Sequence, residues 1–300
     1  LLQLGLCCLF HEEPIKFRVT TAKHLGTLPR AERPKKLSKL CLHNAQALLK
    51  AINFCSRHSI GAFRVNSRIL PLKTHPDFGY ALSSLPASAE IKERFLECGQ
   101  TAADLKIRLS FHPDQFTLLS SPDPEITRKS IAELAYQAEV ANWIGADVIN
   151  IHGGGAYGDK TAALKRVARA IEQLEGAIQS RLTLENDDRV YTPADLLPLC
   201  RSHQIPFVYD VHHHRCLPDG LTVEEVTELA LQTWNRRPLF HISTPKNGWG
   251  QPNTNRHHDY IDISDFPECW RQLDITIDVE AKAKELAIAQ LREQLTSALD

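Results

Sequence analysis

Methionine is wholly absent from the 300 residues, position 1 included, a pattern expected of a trimmed or altered chain. Charge of either sign is not in excess: 35 Lys and Arg face 36 Asp and Glu, a net of −1. Whole-chain electrostatics therefore give no pull toward nucleic acid, membrane or acidic ligands, and a polyanion partner has to be held locally. No C-x-x-C pair occurs among the eight cysteines, and most of them fall in segments that read as buried helix or strand. Reduced thiols are expected rather than a disulfide framework. No apolar run approaches the roughly 18 residues of a membrane span, and no basic and apolar leader opens the chain. A cytoplasmic protein with no membrane partner and no obligate protein partner is the expectation.

What is present is a repeated alternation of short apolar runs and amphipathic stretches. Leu1 to Cys8 reads as a first strand, followed by a polar, proline-bounded segment from His11 to Pro34. Leu37, Cys41, Ala45, Leu48, Ile52 and Cys55 recur at steps of three and four, which predicts a helix. Strands are predicted over Ile60 to Ser67, Leu105 to His112, Ala146 to His152, Arg181 to Asp187, Ile205 to Asp210, Pro238 to Ser243 and Leu273 to Glu280. Helices between them are marked by Asp123 before Pro124, Thr192 before Pro193, and a capping box of Thr222 with Glu225. The buried stripe Leu164, Val167, Ile171, Leu174, Ile178 predicts one helix through Ile178. Eight strand-like runs alternating with seven or eight helices, without a break in composition, predict a single-domain (β/α)8 TIM barrel over residues 1–300.

Barrel chemistry lies at the C-terminal ends of the strands, where inward side chains meet the following loops. The predicted ends carry His112, His152, Glu185, Asp210 with His213, His241 and Glu280, and the segment HHDYI adds His257 and Asp259. A lone strand-end histidine is most often a hydrogen-bonded structural residue, but closure gathers all these groups around one axis. The result is a mixed imidazole and carboxylate cluster with more donors than the three or four that one ion needs. Two or three ions fit the count. Such a cluster suits phosphodiester hydrolysis, supplying activated water, neutralising phosphate oxygens and stabilising the leaving alkoxide. A metal-dependent sugar isomerase or epimerase is the alternative, and a metal-dependent DNA-binding module without chemistry is a third reading.

The segment YDVHHHR (Tyr209 to Arg215) is read as a strand end meeting its loop, in which Asp210 and His213 are candidate ligands and a solvated histidine run is the alternative. His212 and His214 are read as supporting or surface residues. HGGGAYG formally matches both a dinucleotide fingerprint and a lipase oxyanion loop. The first belongs at the opening strand of its unit, and the second lacks a G-x-S-x-G partner anywhere in the chain. Its glycines are expected to let the backbone approach a metal-held phosphate. Gln115 and Phe116 could wedge into a duplex or stack on a displaced base, with Phe116 packed under its loop as the bland alternative. Arg64, Lys73, Lys246 and Arg256 are candidate phosphate contacts, Asn66 ends the second strand, and His75 lies in the long proline-rich loop Arg68 to Pro86.

The motifs FHPDQF, NIHGGG, TLENDD, DVHHHR, FHIS, HHDYI and VEAKAKE, in this order, resemble the UV damage endonuclease family. The resemblance spans nearly the whole chain, and some single motifs recur in endonuclease IV and xylose isomerase-like barrels. It implies a DNA repair enzyme that nicks damaged double-stranded DNA 5′ to ultraviolet photoproducts, and often abasic sites. The implied cofactor is a cluster of divalent ions, typically Mn2+, with Zn2+ or Mg2+ as alternatives. By the resemblance His112, His152, Glu185, Asp210, His213, His241, His257 and Glu280 are metal ligands, with Glu185 bridging and Glu185, Asp210, His241 and Glu280 at the reacting centre. Gln115 and Phe116 match the pair that probes the lesion, Phe116 standing where tyrosine is common. Arg64, Asn66, Lys73, His75 and Lys246 complete the expected substrate-binding set. Two departures stand out: Leu239 replaces a lysine that is chemically modified in some members, and Gly5, Leu6, Cys7, Cys8 stand where others place a tyrosine.

Overall fold

A computed structural model describes residues 2–297. Leu1, where the predicted first strand begins, lies outside the described residues. Eight parallel strands form one sheet: β1 Gln3–Cys7, β2 Ala62–Val65, β3 Arg108–Phe111, β4 Val148–His152, β5 Leu182–Glu185, β6 Phe207–Val208, β7 Leu239–Ile242 and β8 Thr276–Val279. Their order is β6-β5-β4-β3-β2-β1-β8-β7, and a parallel bridge between Asp210 and His241 joins the two ends. The His241 amide donates to the Tyr209 carbonyl at 3.0 Å across that seam. The predicted TIM barrel is therefore the fold, with strands a few residues shorter than the apolar runs. All strand C-termini open on one mouth.

The helices are α1 Ala22–Thr27, α2 Arg33–Arg57, α3 Ser88–Asp104, α4 Pro124–Ile144, α5 Lys160–Glu172, α6 Gly176–Gln179, α7 Pro193–His203, α8 Val211–Cys216, α9 Val223–Leu231 and α10 Glu285–Ser297. Local chemistry sets their ends. Asp123 caps α4 through the Glu125 amide with Pro124 in the first turn, and Gly145 stops it at φ 71°, a left-handed angle that favours glycine. Thr192 with Asp195 and Thr222 with Glu225 close reciprocal capping boxes on α7 and α9. The helix predicted through Ile178 ends instead at Glu172. The chain restarts at Gly176 as the single turn α6, glycine being a poor residue for a helix interior.

The β7–β8 crossover holds two 3-10 turns, Ile263–Asp265 and Glu268–Trp270, where an outer helix is usual. It places Lys246, Trp249 and His257 at the mouth. Phe63, Phe111, Phe207, Phe240 and Trp270 are fully buried and fix the strands against the helices. The loop after β2 is held down by two buried side chains. Tyr136 Oη accepts from the Leu70 amide and donates to the Ser67 carbonyl, both at 3.0 Å. Asn44 donates to the Ile69 carbonyl at 2.9 Å.

Candidate metal centre

Glu185 ends β5 at the centre of the mouth, with none of its surface exposed. Oε1 lies 3.0 Å from His241 Nδ1 and 3.4 Å from His213 Nδ1, and Oε2 lies 3.1 Å from His112 Nε2. Asn150, one turn of the pleat behind His152, donates to Oε2, and Thr183 Oγ1 donates to Asn150 Oδ1 at 2.8 Å. The carboxylate is thus aimed from behind by a buried amide and flanked in front by imidazoles. Burial would raise its pKa, but the charges of His241 and His152 with hydrogen bonds from His112 and His213 hold it well below the usual carboxylate range.

Asp210 is fixed by the neighbouring strand end. Asn186 accepts from its amide at 3.0 Å and donates to its carbonyl at 2.8 Å, continuing the β5–β6 ladder with a side chain. Asp210 Oδ1 then accepts from the His213 amide at 2.8 Å and caps α8, so YDVHHHR is a helical turn and not the predicted loop. The three-residue spacing is the geometry of an N-cap, which turns His213 back toward the barrel axis. His213 Nδ1 lies 3.0 Å from the Asn186 carbonyl, and His112 Nδ1 lies 3.2 Å from the Pro113 carbonyl. Donation to a backbone carbonyl from one ring nitrogen leaves the other free as a ligand, the arrangement common at metal-binding histidines.

Three groups bring their donor atoms within 4.8 Å of one another: His112, His152, Glu185; His112, His241, Glu280; and Glu185, Asp210, His213. Seven of the eight predicted ligands are in these groups. The eighth, His257, stands beside them, Nδ1 3.7 Å from Glu280 Oε2 and its ring 6.4 Å from that of His213. His152 Nδ1 and Asp210 Oδ2 are buried without a hydrogen-bond partner. Buried polar atoms are nearly always satisfied, so two orphans turned into one cluster of imidazoles and carboxylates fit divalent cations. Asp259 is exposed and joins none of the three groups.

Other expectations are redrawn by the structure. Arg64 enters the barrel from β2 and is only 8% exposed. It donates to Asp278 Oδ2 at 2.9 Å, Glu280 Oε1 at 2.6 Å and His241 Nε2 at 2.9 Å, so its donors are spent inside the site and not on the surface. Asp278 is a site residue that the strand-end reading passed over. It lies two residues before Glu280 on the same inward face of β8, and a Cβ at Gly5 of β1 would collide with its Oδ1. The signal was the inward parity of β8. Glu280 is held well below the usual carboxylate range, burial opposing and Arg64, His241 and His257 favouring the charged form.

His212 and His214 are buried, correcting the surface alternative. His214 bridges Tyr209 Oη at 2.8 Å and Asp219 Oδ1 at 3.0 Å, while the His212 ring packs 5.3 Å from Trp249. The HGGG glycines serve packing. Gly154, at φ 87°, lies where a Cβ would strike Ser120 Oγ, and the Gly155 amide donates to that same oxygen at 3.0 Å. Phe116 is 73% exposed beside exposed Gln115, so the packed alternative does not hold. Lys73 pairs with Glu139 at 3.4 Å, and His75 accepts from the Asp77 amide at 3.1 Å, so neither contacts the three groups. Asn66 caps its own turn through the Arg68 amide, while Lys246 and Arg256 are exposed on the β7–β8 crossover.

Comparison with known proteins agrees with this geometry. A family model described as UV-endonuclease UvdE matches residues 2–300. The UV DNA damage endonuclease of Bacillus velezensis is 36% identical over 302 residues, covering 97% of this chain and 91% of the relative. That of Bacillus mycoides is 35% identical over 283 residues, covering 90% and 86%. The crystal structure of SacUVDE superposes with a TM-score of 0.86 at 25% identity, covering 99% of both chains. Endonuclease IV from Thermus thermophilus matches with a TM-score of 0.61 at 15% identity over 98% of this chain and 99% of its own, a likeness of fold alone. The chain belongs to the UV-endonuclease UvdE family.

Proposed function

We propose that this protein is a metal-dependent DNA repair endonuclease that hydrolyses the phosphodiester 5′ to ultraviolet photoproducts in double-stranded DNA, with abasic sites as a second substrate. The observation that carries this reading is the sharing of Glu185 between two groups of potential ligands, with His112 common to two groups. A ketose isomerase or epimerase on the same barrel has no evident use for His112, His152, His213 and His257 together.

Two or three divalent ions, Mn2+ first and Zn2+ or Mg2+ next, would supply activated water, neutralise the nonbridging oxygens and stabilise the leaving alkoxide. His112, His152, Glu185, Asp210, His213, His241, His257 and Glu280 would hold them, Glu185 being common to two of the three groups. Glu185, Asp210, His241 and Glu280 surround the reacting phosphate. Asn150 and Thr183 keep Glu185 from rotating, and Arg64 orients both Glu280 and His241. Gln115 and Phe116, exposed after β3, reach the damaged step, where an aromatic face can stack on an unpaired base or wedge a weakened one. Lys246, exposed on the β7–β8 crossover, is assigned a phosphate in this reading, and Asn66, Lys73 and His75 of the β2 loop complete the substrate contacts.

The test is a nicking assay on irradiated, depurinated and intact supercoiled plasmid, run with chelated protein and each of the three ions. Nicking of irradiated and depurinated plasmid restored by Mn2+, with intact plasmid spared, is the expected result. Equal nicking of all three plasmids, or none with any ion, would reject the reading.

A further inference from the structure

The balanced total charge hides one strongly basic stretch. Residues 16–39 contain eight cations against Glu32 alone, net +7 in a chain of net −1, so the other residues carry −8. Lys16, Arg18, Lys23, Arg30, Lys35 and Lys39 are exposed, and no carboxylate pairs with any of the six among the described residues. Cations elsewhere on this surface are commonly paired, as Arg68 is with Asp114 and Arg128 with Glu125. The first turn of α2 carries Lys35 and Lys36 with no acidic residue and no side-chain cap, which sets positive charge against the positive end of the helix. Stability alone does not favour that choice.

The stretch follows β1 and therefore leaves the barrel at the mouth. Asn44 accepts from the Arg18 amide at 2.7 Å and donates to its carbonyl at 2.9 Å, and the same amide group reaches the Ile69 carbonyl. The basic stretch is thereby stapled to the β2–α3 loop. Arg68 of that loop lies 3.7 Å from Asp114, two residues before exposed Phe116. Basic stretch, β2 loop and lesion-facing loop form one continuous sector of the rim.

We propose that residues 16–39 are a duplex-docking surface, binding the phosphates of the DNA arm that flanks the lesion without regard to sequence. The inference rests on the endonuclease reading. A chain whose remainder is net −8 repels DNA, and unpaired cations on the mouth side supply the local attraction that the reading requires. Each phosphate neutralised contributes about −0.9 to the slope of log K against log salt.

The experiment uses the metal-loaded protein and an undamaged duplex of roughly 30 base pairs, with binding followed by fluorescence anisotropy across a salt series. Lys16→Gln, Arg18→Gln, Lys23→Gln and Arg30→Gln combined should make the slope shallower by about 3 and weaken binding at least about tenfold near 0.1 M salt. On irradiated duplex the same variant should raise KM and leave kcat unchanged. Lys92→Gln, Lys165→Gln and Arg169→Gln, exposed cations of α3 and α5, serve as the control and should leave the slope within about one unit. Thermal melting checks the fold, and Lys35→Glu with Lys39→Glu is the second variant if the first does not fold. An unchanged slope in a folded variant overturns the proposal, as does patch-dependent binding to phosphatidylserine vesicles with none to duplex. A wild-type protein that binds duplex through the patch but never nicks damaged DNA would reject the endonuclease reading and leave the surface standing.

Discussion

Three imidazoles lie within 3.4 Å of the fully buried Glu185 carboxylate, so its negative charge organises everything around it. Replacing it by Gln keeps the shape and removes the charge. Glu185→Gln should cut ion affinity by at least about 100-fold, at or above the usual cost of losing a residue that supports a metal ligand. Titration calorimetry on chelated protein reads this directly; unchanged affinity would remove Glu185 from the bridge. The histidines give the metal-free protein a pH signature. Burial alone would lower His213 and His241, but Asp210 and Glu185 raise His213 well above the ordinary imidazole value, and Glu185 raises His241. A raised folded pKa gives stability that is complete below the unfolded value of about 6.5 and lost as pH rises through the folded value. His112 and His212, lowered by burial, and the depressed Glu185 and Glu280 act on the acid side instead. With a chelator, the melting temperature should therefore fall as pH rises above the unfolded imidazole value of about 6.5. Saturating Mn2+ should abolish that fall, because ions require the deprotonated ligands. At this scale the strand-end residues of the cluster were legible because His, Asp and Glu closing apolar runs are conspicuous. Asp278 and Asn150 were not, since each sits inside its run and is revealed only by which face of the strand it occupies. Arg64 reads from sequence as a candidate phosphate contact, because sequence does not show that a strand buried along its whole length aims it inward at the carboxylates.

The element that gathers the site most economically is α8, a turn of six residues capped by Asp210. One carboxylate does two jobs there: Oδ1 accepts from the His213 amide, and Oδ2 faces the cluster without a hydrogen bond, 3.5 Å from His213 Nδ1. The two jobs separate by substitution. Asp210→Asn keeps an oxygen for the cap, so the melting temperature of chelated protein should fall only by the share that the Asp210 charge gives protonated His213, while ion binding is lost. Asp210→Ala loses the cap as well, at a cost of about 1 kcal/mol or roughly 2–4 °C. Equal melting temperatures for the two variants would show that the cap contributes nothing. Capping boxes and proline starts made α4, α7 and α9 readable in advance, because those signals are local. α8 was unreadable for the opposite reason: three consecutive histidines have no apolar period, and the turn exists through Asp210 and its lock on Asn186. The β7–β8 crossover likewise departs from the alternation, and its 3-10 turns leave Trp249 and His257 on the rim where an outer helix would have carried the chain away.

For the whole molecule, the barrel was legible because eight repetitions of one pattern over 300 residues leave little other topology. The distribution of charge was not, since a net of −1 averages a basic stretch at the mouth with an acidic remainder. Taken together, the molecule is an acidic barrel with one basic flank, an exposed aromatic at the lip and a cluster of histidines and carboxylates at the axis. These three features lie on one face, and the proposed function orders their use: phosphate docking beside the lesion, distortion sensing at Phe116, and hydrolysis over Glu185. Phe116→Ala should accordingly reduce the preference for irradiated over intact duplex at least about tenfold, the order expected from losing one stacked base, with ion stoichiometry unchanged by elemental analysis. The most direct test of the central claim is to map the cut in an end-labelled duplex that carries a single photoproduct, using Mn2+-loaded protein. One break is expected, on the 5′ side of the lesion, absent from the undamaged duplex and absent with Glu185→Gln. A break at the same position in undamaged duplex, or one that persists in Glu185→Gln, would contradict the claim.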